Sequence, residues 1–241
     1  MVYQGSKSRI SKYLKPVIES YIKPNTVAYI EPFVGGCNMI DKIECSCPKY
    51  GYDANEYLIE LFNYAKNGGT LPEYISKEEY YEVKNNKEKY LKWYVGFIGF
   101  IVSFRGKFFG GYINPECILK SRHRKVNYQE RHINNFKKQI PNLKDVELKY
   151  SDYKDLSFNN CVIYCDPPYR DTTKYKASAE FDYEEFYNWC RKMCKYNTVL
   201  ISEYDMPEVF ECIWSKEHWT TLSGYCKKKT VEKLFILKQV N

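Results

Sequence analysis

The chain contains no Cys-x-x-Cys pair, so its ten cysteines do not spell a zinc framework. Cys45 and Cys47 have no matching second pair, and His123, His132 and His218 are not spaced as partner ligands. Cys161 and Cys165 fall in an apolar run. Cys190 and Cys194 recur at i,i+4 on an expected helix, where a thiol serves as a small hydrophobe. No metal site is expected. The amino terminus lacks the apolar core of a signal peptide. The longest apolar stretch, residues 93–104, is too short and too glycine-interrupted to cross a bilayer. A reducing cytoplasm is therefore the expected location. Internal repeats and low-complexity segments are missing, and no three-glycine dinucleotide fingerprint occurs.

What is present suits a folded domain. With 241 residues, 44% of them hydrophobic and 28% charged, the chain can bury a sizeable core. The net charge of +7 is unevenly spread. Residues 66–150 hold 17 basic against 9 acidic side chains, whereas the rest holds 20 against 21. A polyanion-facing segment set into a neutral body would look like this, and so would a solvated lysine-rich face. The 25 tyrosines offer flat area for stacking on bases or for filling a core.

The most informative stretch is Asp166-Pro167-Pro168-Tyr169. It follows the apolar run Cys161-Val162-Ile163-Tyr164-Cys165, which reads as a buried strand. The prolines end that strand, since they lack N–H donors and push their preceding residues extended. A carboxylate, two free carbonyls and an aromatic ring should then sit at its carboxyl end, where open α/β sheets bind ligands. Such a set suits a neutral amino group on a flat ring. The Asp166 carboxylate and the Pro167 carbonyl can each accept one N–H, which turns the nitrogen lone pair towards an electrophile, while Tyr169 stacks on the ring. A proline turn closing a strand is the plainer alternative.

Earlier in the chain, Ile10, Leu14, Val17, Ile18 and Ile22 predict one helix, ended at Pro24-Asn25. Lys7, after a Gly-Ser turn, can hold a carboxylate or stay solvated. Val27-Ala28-Tyr29-Ile30 predicts a strand running into Glu31-Pro32-Phe33-Val34-Gly35-Gly36-Cys37, followed by a short helix through Met39, Ile40 and Ile43. Strand, glycine turn and helix open a nucleotide-binding unit. The next strand ends at Asp53, 17 residues after Gly36, near the spacing at which an acid takes ribose hydroxyls. Capping the following helix is the competing use of Asp53. Residues 70–145 break this rhythm and look mainly helical. They include Phe104-Arg105-Gly106-Lys107-Phe108-Phe109-Gly110-Gly111-Tyr112-Ile113-Asn114-Pro115, a basic aromatic loop suited to nucleic acid, or alternatively a loop that packs its own rings. Lys120-Ser121-Arg122-His123-Arg124-Lys125 follows. The rhythm resumes at Val146-Glu147-Leu148-Lys149 and Ser151-Asp152. Residues 170–181 are polar and are expected to be mobile over the pocket. A helix over 183–194 and a strand over 198–203 come next, then two last strands near 219–222 and 231–237.

In this order, Tyr3 and Lys7, Glu31-Pro32-Phe33-Val34-Gly35-Gly36, Asp53, a basic insertion, Asp152 and Asp166-Pro167-Pro168-Tyr169 resemble the Dam-like (D12 class, alpha group) DNA adenine-N6 methyltransferases over nearly the whole chain. The resemblance implies a Rossmann-like α/β fold with a mostly parallel sheet and helices on both faces. It assigns residues 1–65 and 146–241 to the catalytic domain and 66–145 to a mainly helical inserted target-recognition domain. The implied methyl donor is S-adenosyl-L-methionine. Carried over by position, Tyr3 and Lys7 flank its methionine end, and Phe33, Gly35 and Gly36 form its binding turn. Asp53 takes its ribose, Asp152 lies against its adenine, and Asp166 lies close to it. Asp166, Pro167, Pro168 and Tyr169 then form the catalytic set around an adenine extruded from duplex DNA. Ser202-Glu203-Tyr204-Asp205 resembles the loop lining the base pocket. Arg105, Lys107, Asn114, Arg122, Arg124 and Lys125 are the candidate DNA contacts. The family often has Gly where Cys37 stands, and the insertion matches it only around residues 104–115. A bacterial or phage origin, a monomer and a cognate restriction endonuclease as partner complete the expectation. The alternatives are a methyltransferase acting on cytosine N4 or on RNA, a DNA-binding module with a degenerate cofactor site, and a nicotinamide-dependent oxidoreductase on a similar fold, which the missing three-glycine fingerprint and the Asp166-Pro167-Pro168-Tyr169 stretch disfavour.

Overall fold

The computed structural model describes residues 1–119, 124–169, 181–223 and 226–238. Alternation along the central strands decides the layering. On β1 (Tyr29–Glu31) the Tyr29 side chain faces one core and Ile30 the other. On β6 (Val162–Cys165), Val162 and Tyr164 face the first core, and Ile163 and Cys165 the second. A strand buried on both faces must be apolar throughout, which is why the 161–165 run has no polar alternation. The first core packs under α1 (Ser11–Ser20) and α2 (Glu56–Lys66). The second lies under α6 (Tyr183–Cys194), which contributes Phe186, Trp189, Cys190 and Met193.

These faces belong to one seven-stranded sheet. Its remaining strands are β2 (Lys49–Asp53), β5 (Val146–Tyr150), β7 (Thr198–Glu203), β8 (Phe210–Ser223) and β9 (Cys226–Leu237). The order is β5-β2-β1-β6-β7-β9-β8. The five strands from β5 to β7 are parallel, and β9 and β8 close the edge as an antiparallel hairpin. Strand order reverses between β1 and β6. That is the switch point at which a doubly wound sheet opens a crevice beyond its strand ends. The fold is Rossmann-like α/β, as the sequence implied.

Between β2 and β5 the chain builds α3 (Lys77–Asn85), α4 (Lys92–Gly96), a hairpin of β3 (Cys117–Leu119) and β4 (Arg124–Val126), and α5 (Tyr128–Gln139). The mainly helical reading holds, with the hairpin added. Residues Phe97–Ile101 continue α4 as a wide π turn. This region shares the first core with the body: Tyr80, Val83, Phe97, Ile101 and Phe136 pack with Leu58, Leu61 and Phe62. Among the described residues no helix is long and apolar enough to cross a membrane.

Three expectations are corrected. The first helix ends at Ser20, not at Pro24-Asn25. No helix forms through Met39, Ile40 and Ile43; the chain there makes successive turns. Cys37 sits at φ 54°, a left-handed conformation that does not start a helix. The last hairpin is also far longer than the apolar runs implied, because an edge hairpin tolerates polar side chains along its length.

Candidate functional site

The site forms at the carboxyl ends of β1, β2 and β6. After β1, the chain turns through Gly35 and Gly36, and Asp53 at the end of β2 ties that turn down. Its Oδ2 accepts the Gly35 N–H at 2.9 Å and its Oδ1 accepts the Asn55 N–H at 2.9 Å. Capping of α2 falls instead to Asn55, whose Oδ1 accepts the Leu58 N–H at 3.1 Å. Each Asp53 oxygen thus keeps a lone pair for a ligand hydroxyl. Burial pushes the Asp53 carboxyl up to about 6, against the pull of those two N–H groups.

The glycines are needed for close approach. Gly35 has φ 47°, and a Cβ there would lie 2.8 Å from the Tyr3 ring. A Cβ on Gly36 would lie 2.6 Å from both the Tyr3 Cβ and the Asn38 amide. The predicted helix start does not supply this turn's order. Gln139, at the end of α5, does so from the far side: its Nε2 donates to the carbonyls of Gly36 and Cys37, each at 3.0 Å. Sequence reasoning missed Gln139, for nothing in a Lys-Lys-Gln-Ile helix end marks it.

Asp166 follows β6 directly. Its carboxylate binds the Lys7 ammonium at 2.7 Å, and the same ammonium lies 3.5 Å from Glu232 of β9. Lys7 is therefore the carboxylate partner of the two original options. Asp166 keeps 22% of its side chain accessible, against 8% for Lys7 and 3% for Glu232. Burial pushes the Asp166 carboxyl up to about 6, although Lys7 pulls it down. Burial alone would lower Lys7, but Asp166 and then Glu232 outweigh it and hold the ammonium above its ordinary value. Burial pushes the Tyr3 phenol well up, and the charges of Asp53 and then Asp166 add to this.

Tyr169 is buried, and its hydroxyl donates to Glu232. The Lys7 ammonium sits 4.3 Å from the Tyr169 ring centroid, and Tyr204 meets that ring edge-on at 4.7 Å. The two prolines do not leave two free carbonyls, since Tyr183 donates its hydroxyl to the Pro168 carbonyl at 3.0 Å. On the other flank Phe33 packs against Tyr153 at 5.1 Å and Phe181 at 6.0 Å. Asp152 caps the short turn Tyr153–Asp155 by accepting the Lys154 N–H at 3.0 Å.

The insertion is less uniform. Phe108 and Phe109 turn inward, Phe108 stacking on Tyr57 at 5.6 Å and meeting Phe100 at 4.9 Å. A Cβ on Gly99 would come within 2.4 Å of the Phe108 ring, so that glycine makes the inward packing possible. The loop thus packs most of its own rings. Phe104, Arg105, Lys107 and Asn114 are exposed. Arg105 adopts φ 58° with its guanidinium 5.2 Å from the Phe104 ring, and Asn114 accepts the Glu116 N–H at 2.9 Å. Arg124 and Lys125 lie on β4, and Arg122 lies outside the described residues.

A family model described as "D12 class N6 adenine-specific DNA methyltransferase" matches residues 3–225. No curated protein matches the chain. Among solved structures, the rRNA methyltransferase aviRa from Streptomyces viridochromogenes is 9% identical, with 98% of this chain and 86% of that one covered at a TM-score of 0.45. TrmN from Thermus thermophilus is 8% identical at a TM-score of 0.42, and the chain spans 49% of its length while 97% of this chain is covered. The putative methylase HI0767 from Haemophilus influenzae is 11% identical, with 96% of this chain and 89% of that one covered at a TM-score of 0.34.

Proposed function

The chain belongs to the D12 class of N6 adenine-specific DNA methyltransferases, enzymes that use S-adenosyl-L-methionine, and from that premise we propose that it methylates a specific adenine extruded from duplex DNA, with Asp166 as the residue that grips the amino group. The observation that carries this reading is the position of Asp166. It stands at the switch point, at the carboxyl end of β6, partly accessible and held by the Lys7 ammonium at 2.7 Å.

The donor set fits the cofactor. Asp53, Asp166 and Asp152 make this end of the sheet acidic, which suits a hydroxyl-rich cation and repels a pyrophosphate. That chemistry also argues against a nicotinamide dinucleotide. Asp53 would hold the ribose, Phe33 and Asp152 the adenine end, and Tyr3 and Lys7 the methionine end. When bound, S-adenosylmethionine supplies an electrophilic methyl on a cationic sulfur.

The protein's own work is orientation. Asp166 and the Pro167 carbonyl accept the two amino hydrogens, which points the nitrogen lone pair at the methyl. Tyr169 and Tyr204 form the aromatic wall beside them. Extrusion of the base costs a few kcal/mol, offset by stacking and these hydrogen bonds. The exposed Arg105 and Lys107 of the insertion, with Asn114, Arg122, Arg124 and Lys125, are assigned to the DNA, where cations contact phosphate and give salt-dependent affinity.

The test is transfer of labelled methyl from S-adenosylmethionine to unmethylated plasmid DNA, single-stranded DNA and RNA. Asp166→Asn should lower turnover on the order of a hundredfold to a thousandfold, the loss seen when one preorganised partner is removed. Wild-type turnover in that variant, or faster transfer to RNA than to duplex DNA, would sink the proposal.

A further inference from the structure

We propose that Glu232 is a positioning residue for the methyl transfer: it offsets the Lys7 charge so that Asp166 presents a net negative field to the amino nitrogen. This deepens the reading above and rests on its assignment of Asp166. Nothing in the reaction as described uses Glu232, yet it is a carboxylate 3% accessible in the middle of a strand.

Topology explains its place. The parallel strands deliver their carboxyl ends to the site, and β9 runs the other way. Ser202 pairs with Leu234 and Glu203 with Lys233, so Glu232 falls just past the end of β7. There it is 3.5 Å from the Lys7 ammonium and accepts the Tyr169 hydroxyl. The charged and titratable groups facing it are Lys7 from the amino-terminal turn, Tyr164, Asp166 and Tyr169 from β6 and its end, and Tyr204 from beyond β7. Its cross-strand partner Lys216 points elsewhere, with its ammonium 3.7 Å from the Tyr13 ring.

The chemistry needs such a group. As the nitrogen–carbon bond forms and the methyl leaves sulfur, positive charge arrives on the adenine amino nitrogen. That nitrogen must then lose one proton, which Asp166 takes and passes to solvent. An ammonium held 2.7 Å from Asp166 opposes both steps. A second buried carboxylate on the same ammonium cancels that opposition. It leaves Lys7 free to hold Asp166 in place.

The decisive variant is Glu232→Gln, which keeps the shape and an acceptor for Tyr169. On unmethylated plasmid DNA at saturating S-adenosylmethionine, kcat should fall at least about tenfold, as for loss of a positioned charge. The acid limb of the kcat profile should move to lower pH by roughly half a unit to one unit, since a neighbouring negative charge that raises Asp166 has gone. Glu232→Asp keeps the charge and should keep the limb. An unchanged kcat, or a fall with an unmoved limb, overturns the proposal. Asp166→Asn is run alongside: if it stays active, the site reading itself has failed, whereas an inactive Asp166→Asn with a normal Glu232→Gln refutes Glu232 alone. Should Glu232→Gln not fold, the limb is compared between Lys7→Met and Lys7→Met/Glu232→Gln, read from unfolding against pH where turnover is too low. The double variant must titrate lower, and equal limbs overturn the proposal.

Discussion

Replacing Lys7 by Met removes a cation shared by the partly accessible Asp166 and the buried Glu232, and the structure sets a ceiling on the damage. Asp166 already titrates near 6 in the folded protein, against 3.8 for an ordinary Asp. Its folded value is therefore raised, and the folded state holds more protons than the unfolded one between those two values. The Asp166 contribution to stability then falls as pH rises through that window and is level above 6. Without Lys7 the folded value rises further, so the falling window extends upward. At pH 8 the variant can always escape by protonating Asp166, which lies two units from its wild-type value. Each unit is worth about 1.4 kcal/mol, so the loss through Asp166 is at most about 3 kcal/mol at pH 8 and close to nothing at pH 6. The assay is urea unfolding of both proteins at pH 6 and pH 8 at one ionic strength. The stability difference should grow by up to about 3 kcal/mol between the two. A difference equal at both pH values would mean that Lys7 does not set the Asp166 proton affinity, and the electrostatic account of the site would be wrong.

The same acid should govern turnover. Asp166 must be ionised to accept the amino hydrogens, so kcat should be half-maximal near pH 6 and fall about tenfold per unit below it; a flat profile down to pH 5 would contradict this. Gly36→Ala places a methyl 2.6 Å from the Tyr3 Cβ, a contact that no flexible tip can relieve. It should cost about 1–3 kcal/mol, read as a Tm lower by several degrees, together with weaker S-adenosylmethionine binding; an unchanged Tm would show that Tyr3 is not held there. Arg105→Ala/Lys107→Ala should flatten the slope of log affinity for duplex DNA against log salt by about 2, roughly one for each lost phosphate contact, and an unchanged slope would remove both residues from the interface.

Sequence reading succeeded where one strong local signal decided the structure. The apolar run ending at Asp166 became β6, and the helix and strand expected over 183–194 and 198–203 have those bounds as α6 and β7. It failed where a distant partner decides. Met39, Ile40 and Ile43 have helical spacing, but their backbone follows the left-handed Cys37, and Gln139 from the insertion takes the carbonyls of Gly36 and Cys37. Asp53 and Asn55 were equally good caps by type, and only the position of Gly35 pulled Asp53 away from that task. Glu232 sits between Val231 and Lys233 in a strand that alternates like a solvent-facing edge. Its burial follows from the antiparallel direction of β9, which no local pattern encodes.

The balance of charge around Asp166 also bears on why the acid is followed by prolines. A carboxylate that accepts several backbone N–H groups is held ionised far below neutral pH. Pro167 and Pro168 have no N–H to offer, so Asp166 receives its stabilisation from Lys7, and burial still leaves it at about 6. An acid in that state is a better hydrogen-bond acceptor for a weakly acidic amine than one already saturated by the backbone. It can also take up a proton in the range where the enzyme works. Asp53 shows the contrast within the same site. It does accept two N–H groups and is held in place by them, as suits a residue assigned to bind hydroxyls rather than to receive a proton. Burial raises both acids to about 6; backbone N–H donors oppose it at Asp53, and the buried Lys7 ammonium opposes it at Asp166. Only the second depends on a side-chain cation, so Lys7→Met should move the Asp166 titration and leave that of Asp53 in place.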